Sequence, residues 1–98
     1  MTPEELYAAF ERHSETDFLK FDRVVANAVD RADLHAFMLL NELVPGTRDI
    51  VSLAGHDEIW LGVSTERLAA VATDDIVLEL VRCGVRYDND VDLLAMFV

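Results

Sequence analysis

Apolar residues take up helical spacing at the start of the chain, where Leu6, Tyr7 and Phe10 share one face behind Thr2-Pro3-Glu4-Glu5. Thr2 can cap, Pro3 suits the first helical position and Glu5 completes a capping box, so a helix is predicted from there to about His13-Ser14. From Thr16 to Val29 the pattern weakens. Phe18, Phe21, Val25 and Ala28 keep helical spacing, but Val24-Val25 is β-branched, so a short helix over 17–23 and then a loop are expected. Asp33 reads as the cap of a segment from Leu34 to Val44. There Leu34, Phe37, Met38, Leu39, Leu40, Leu43 and Val44 leave only a narrow polar strip through His35 and Glu42. A helix apolar on most sides is expected to be central and covered by other elements. Pro45-Gly46 ends it.

The period then changes. Ile50 to Ala54 and Glu58 to Val63 are short apolar runs around Gly55-His56-Asp57, the pattern of a β-hairpin. Strand alternation puts Ile59, Leu61 and Val63 on one face, and Glu58 and Trp60 on the other. Ser64 caps a short helix over Thr65 to Ala72. Thr73 caps another with Asp74 and Asp75 in its first turn, where the helix dipole favours carboxylates. Ile76, Val77, Leu80 and Val81 face inward, and Gly84 stands where a left-handed C-terminal cap belongs. Val85 to Val98 reads as a second hairpin turning at Asp88-Asn89-Asp90, with Leu93 to Val98 apolar on both faces and therefore an interior strand. The fold expected is α+β: one compact domain over 1–98, with a small, mainly antiparallel sheet of two hairpins packed against about four helices.

Composition narrows the function. The 98 residues include 19 acidic and 8 basic ones, a formal charge of -11, and 52% are hydrophobic, enough for a core. The only lysine is Lys20 and the arginines are scattered from Arg12 to Arg86, so no basic stripe exists for phosphates, and direct nucleic-acid binding is not expected. The same charge opposes anionic membranes. The longest apolar run, Leu93 to Val98, is far short of a bilayer, and Met-Thr-Pro-Glu-Glu resembles no leader, so a cytoplasmic location is expected. A single cysteine, Cys83, suits a reducing compartment.

From Asp30 onward the chain resembles a family of small uncharacterised acidic proteins of tailed bacteriophages and prophages of proteobacteria. The resemblance rests on Ala32-Asp33-Leu34-His35-Ala36-Phe37, on Leu43-Val44-Pro45-Gly46 and on His56-Asp57-Glu58-Ile59-Trp60-Leu61. Its most distinctive part is Leu80-Val81-Arg82-Cys83-Gly84-Val85-Arg86-Tyr87-Asp88 with the closing Leu94-Ala95-Met96-Phe97-Val98. It covers about two thirds of the chain. It implies no activity, cofactor or catalytic residue, but it does imply a phage or prophage setting inside a bacterial host cell.

Catalytic and metal-binding patterns fail residue by residue. Cys83 and three dispersed histidines do not make a zinc set, and His56-Asp57-Glu58 offers H-x-E without the P-C-x-x-C that a zinc deaminase needs. Asp88-Asn89-Asp90-Val91-Asp92 begins like a calcium loop, but Leu93 stands where the loop requires glycine, so an acidic hairpin turn is the simpler reading. Cys83 is expected to be a buried apolar residue rather than a nucleophile, His35 to hydrogen-bond at the surface, and His56 to be solvated. No cofactor is implied, and the reading is non-enzymatic.

What remains is binding. The expectation is a protein that docks on a host or phage protein through a basic, nucleic-acid-binding surface of that partner, in the manner of an anti-defence inhibitor whose carboxylates stand in for phosphates. The candidate partner-binding residues are Trp60 with Glu58 and Asp57, and the turn carboxylates Asp88, Asp90 and Asp92. Trp60 is either an exposed aromatic anchor or part of a second core layer. The alternatives are a homo-oligomeric accessory phage protein, a homodimer whose terminal strand pairs across a symmetry axis, or a small-ligand-binding protein.

Overall fold

A computed structural model describes residues 1–25 and 29–98. Helix α1 runs Pro3–Asp17. Its start follows the capping box: the Glu5 amide donates to Thr2 Oγ1 (3.1 Å) and the Thr2 amide donates to Glu5 Oε1 (2.9 Å). It continues past Ser14 because its last residue, Asp17, is held by two guanidinium groups. Arg82 Nε and Arg23 Nη1 both donate to Asp17 Oδ1 at 3.1 Å. They offset the repulsion between a carboxylate and the negative end of the helix. Phe18 is already extended and Leu19 is left-handed (φ 61°), so the helix expected over 17–23 reduces to a single 3-10 turn, Phe21–Arg23. Ala28, the last apolar position of that expected pattern, lies outside the described residues.

Helix α2 spans Ala32–Leu43 and starts two residues earlier than the sequence suggests. Arg31, not Asp33, occupies the cap, and Asp33 instead accepts a bond from the Leu34 amide (2.8 Å) in the first turn. Nor is α2 central. Only His35, Ala36 and Leu40 are buried along it, while Leu34 and Met38 are about half exposed. Its apolar circumference exceeds the stripe that the core can accept. The helix with the deepest seat is α4, Asp74–Arg82, whose Val77, Leu80 and Val81 are fully buried beside Leu6 and Phe10 of α1. Helix α3, Thr65–Val71, precedes it. Ser64 and Thr73 cap α3 and α4 through their hydroxyls, which accept from the amides of Arg67 (3.2 Å) and Ile76 (3.3 Å). Asp74 ties α4 to α1, pairing with Arg12 and with His13 Nε2 (3.0 Å).

Four strands form one antiparallel sheet in the order β1-β2-β4-β3, with β1 Val51–Ala54, β2 Glu58–Leu61, β3 Arg86–Asp88 and β4 Leu93–Phe97. The two expected hairpins are present, and the fold is α+β. Strand β4 is interior, paired to β2 through Trp60↔Ala95 and Leu61↔Leu94 and to β3 through Arg86↔Ala95 and Tyr87↔Leu94. The sheet therefore ends at β1 and β3, and the terminal strand has no free edge to offer across a symmetry axis. One face, carrying Ile59, Leu61, Tyr87, Leu94 and Met96, packs into the helical core. The opposite face carries Leu53, Glu58, Trp60, Arg86, Asp88, Ala95 and Phe97.

Gly84 closes α4 with φ 95°, the left-handed cap that the sequence calls for. A Cβ placed there would lie 2.5 Å from the Leu19 side chain, so both conformation and space require glycine.

Candidate functional site

The outer sheet face gathers three of the six expected partner-binding residues. Trp60 and Glu58 alternate with Ile59 and Leu61 on β2, and Asp88 lies on the same face of β3. Between them runs β4, whose residue at the crossing point is Ala95. A methyl group there is low enough for side chains from β2 and β3 to meet above it. Trp60 Nε1 donates to Asp88 Oδ2 at 3.0 Å, and Arg86 pairs with Glu58. Ala95 is fully buried yet stands outside the core cluster, as expected for a residue roofed by its two cross-strand neighbours.

Trp60 is neither a free anchor nor a core residue. It is half-buried, with its Nε1 bonded to Asp88 and the far edge of its ring beside Gly55, where a Cβ would stand 3.1 Å from the indole. The Trp60 donor is the main cause that holds the Asp88 carboxyl below its ordinary range; the Asp90 amide and the Arg86 charge add to it. The Arg86 guanidinium sits 4.3 Å from the Phe97 ring centroid, a cation–π contact that continues the layer to the end of β4. Leu53 (57% exposed) and Phe97 (56% exposed) flank this layer.

The remaining three acids do not join it. Asp57 is in the β1–β2 turn, beside the end of β4, where its carbonyl accepts from the Val98 amide (2.9 Å). Asp90 and Asp92 are in the β3–β4 turn at the opposite end of the sheet. Asp90 gives its amide to Asp88 Oδ1 (3.0 Å) and exposes its carboxylate. Asp92, in a left-handed conformation (φ 56°), turns the other way and accepts from the Tyr87 hydroxyl at 2.5 Å. That bond, followed by burial, raises the Tyr87 pKa far above its ordinary value. The calcium-like run thus sends its carboxylates in different directions. Among the described residues, no group of three or more His, Cys, Asp or Glu could hold a metal ion.

Other candidates settle individually. Cys83 is buried, and burial pushes its thiol up to about 12, with Glu79 adding to it, so the thiolate is not populated at neutral pH. His35 is buried rather than at the surface, and it still finds a partner in Glu79 (2.8 Å). His56 projects into solvent with its side chain 97% exposed. Among the described residues, no helix is long and apolar enough to cross a membrane.

Sequence reasoning missed Arg86, Ala95, Phe97 and Leu53 as parts of this face. The available signal was the alternation of Arg86 and Asp88 on one strand against Glu58 and Trp60 on another. It could be used only once strand order placed the small Ala95 between them. No protein-family model, curated protein or solved structure matches the chain.

Proposed function

We propose that this is a non-enzymatic binding protein of phage or prophage origin that docks through its outer sheet face on a basic surface of a host or phage protein. One observation carries the reading: the face has an apolar centre and a negative rim. Leu53 and Phe97, on either side of the half-buried Trp60 indole, supply the apolar surface, Glu58 is paired with Arg86 and Trp60 with Asp88 within the sheet, and the exposed carboxylates of Asp57 and Asp90 stand at its two ends. Protein interfaces share this anatomy, an aromatic-bearing centre within a polar rim. Because charged partners inside the face are already paired, docking leaves no carboxylate buried alone. The rim and the net charge of -11 steer the chain toward cationic surfaces, including those that otherwise receive nucleic acid.

The test is capture from bacterial lysate with the tagged chain and two variants, Leu53→Lys and the pair Asp57→Asn with Asp90→Asn. One partner, released by salt, lost with Leu53→Lys and weakened by the double variant, is the expected result. A partner indifferent to all three sinks the reading.

A second reading has its own observation. Strand β1 is an edge strand exposed on both sides, and Ile50 to Gly55 carries no charge. Such an edge suits pairing with a second copy, although the register shift between Val51 and Leu53 bends it. Sedimentation velocity at high concentration should show a dimer that Leu53→Lys abolishes; a monomer throughout removes this reading.

A further inference from the structure

The free edge of β3 borders a groove of about 550 Å³ whose other wall is α1. Tyr7, Phe10, Glu11 and Ser14 line it from the helix, and Arg86, Tyr87 and Asn89 from the strand side. Helical spacing explains the first set, since positions 7, 11 and 14 fall on one stripe. The floor is rigid. Tyr7 and Tyr87 stack with centroids 4.0 Å apart and planes 9° apart, and both hydroxyls are engaged, with Thr65 (3.3 Å) and Asp92 (2.5 Å). The groove's one unpaired charge is negative: the Arg86 guanidinium is engaged by Glu58 and the Phe97 ring, whereas Glu11 is exposed and has no ion pair or hydrogen bond among the described residues.

An edge strand beside a helix is the geometry in which an extended peptide adds to a sheet. We propose that this groove receives an extended basic segment of the protein partner, paired as a fifth strand along β3. Alternation then assigns the side chains. The peptide residue opposite Tyr87 faces the helix side, where a lysine or arginine meets the Tyr7–Tyr87 rings and Glu11; its neighbours face the outer side of the sheet. Charge complementarity selects the occupant, because the groove offers aromatic faces and an unpaired carboxylate to a cation. The fixed rings reduce the ordering cost of binding. This inference rests on the docking reading above and names a second point of attachment for the same partner.

The experiment titrates the 15N-labelled full chain with a capped seven-residue peptide alternating arginine and valine. Two analogues are compared, N-methylated on one or the other set of alternate backbone nitrogens. All three carry the same charge, so general attraction to an acidic protein is common to them. The expected result is saturable binding with amide shifts centred on Tyr7, Glu11 and Arg86 to Asn89. One methylated frame should lose about tenfold or more, while the other binds like the parent. Glu11→Gln, an exposed change that leaves the core intact, should weaken the parent severalfold. Equal binding of both frames, or shifts spread over the acidic surface, overturns the groove. Shifts centred on Leu53, Trp60 and Phe97 also overturn it, yet leave the docking face standing. Absence of saturable binding at low salt overturns the groove alone, and the capture experiment decides the rest.

Discussion

Asp17 shows what a single carboxylate does here. It sits at the wrong end of a helix for its charge, and yet it joins three elements, because Arg23 ends the 3-10 turn and Arg82 belongs to α4. The Thr16 hydroxyl, with Arg82 and Arg23, holds its carboxyl below the ordinary 3.8. A depressed folded-state pKa means that the stabilisation is complete above that ordinary value and is lost as pH falls through the lower one. Asp17→Asn should therefore unfold at a lower temperature than the parent at neutral pH, and the gap should close below roughly pH 4. A gap that persists unchanged at pH 2 would place the effect in packing instead. Gly84 makes a complementary case. Gly84→Ala forces a left-handed alanine against Leu19, and it should cost at least about 1–2 kcal/mol, read as a drop in melting temperature.

Among the elements, hydrophobic pattern and burial part company at α2. Its sequence is apolar on most sides, whereas α4 shows one strong apolar stripe, and it is α4 that the core encloses. Truncations should separate them. Leu80→Ala in α4 should destabilise by about 2–5 kcal/mol and Leu94→Ala in β4 by a similar amount, since both side chains are fully buried. Met38→Ala on the half-exposed side of α2 should change stability by no more than about 0.5 kcal/mol. Chemical denaturation of the three variants checks this order. The exposed Leu34 and Met38 are thus a surface, not a core, and a helix apolar all round need not be a central one.

At the scale of the molecule, the negative charge is not evenly available. Asp17, Glu58, Asp74, Glu79, Asp88 and Asp92 are committed to named partners, which leaves Asp90, Glu11 and Asp57, the last beside only the solvated His56 (3.8 Å), among the exposed carboxylates able to meet a cation at the outer face or the β3 groove. Neutralising Asp88, Asp90 and Asp92 together would consequently disturb Trp60 and Tyr87 as well as charge. Asp57→Asn with Asp90→Asn is the cleaner change. It should weaken binding to a cationic partner, chiefly through slower association and a shallower salt dependence, while tryptophan emission from the single Trp60 stays that of the parent. A shifted emission would show that the face itself had rearranged.

Much of this architecture was legible along the chain because local chemistry decides it. The Thr2–Glu5 box, the Ser64 and Thr73 caps, the Gly84 stop and the two hairpins each depend on residues a few positions apart. So does the interior character of β4, which its apolar residues on both faces announce. The site was legible only in part: Trp60, Glu58 and Asp88 were singled out by type, but their meeting was not. Contacts of that kind depend on strand order, on the small Ala95 lying between β2 and β3, and on a one-residue turn of Asp92 into the left-handed region that sends it to Tyr87 instead. Residue pattern determines which elements form and, α2 apart, which side they bury. The packing of those elements decides which carboxylates are spent inside the fold and which remain for a partner, because a charge finds its partner through space and not along the chain.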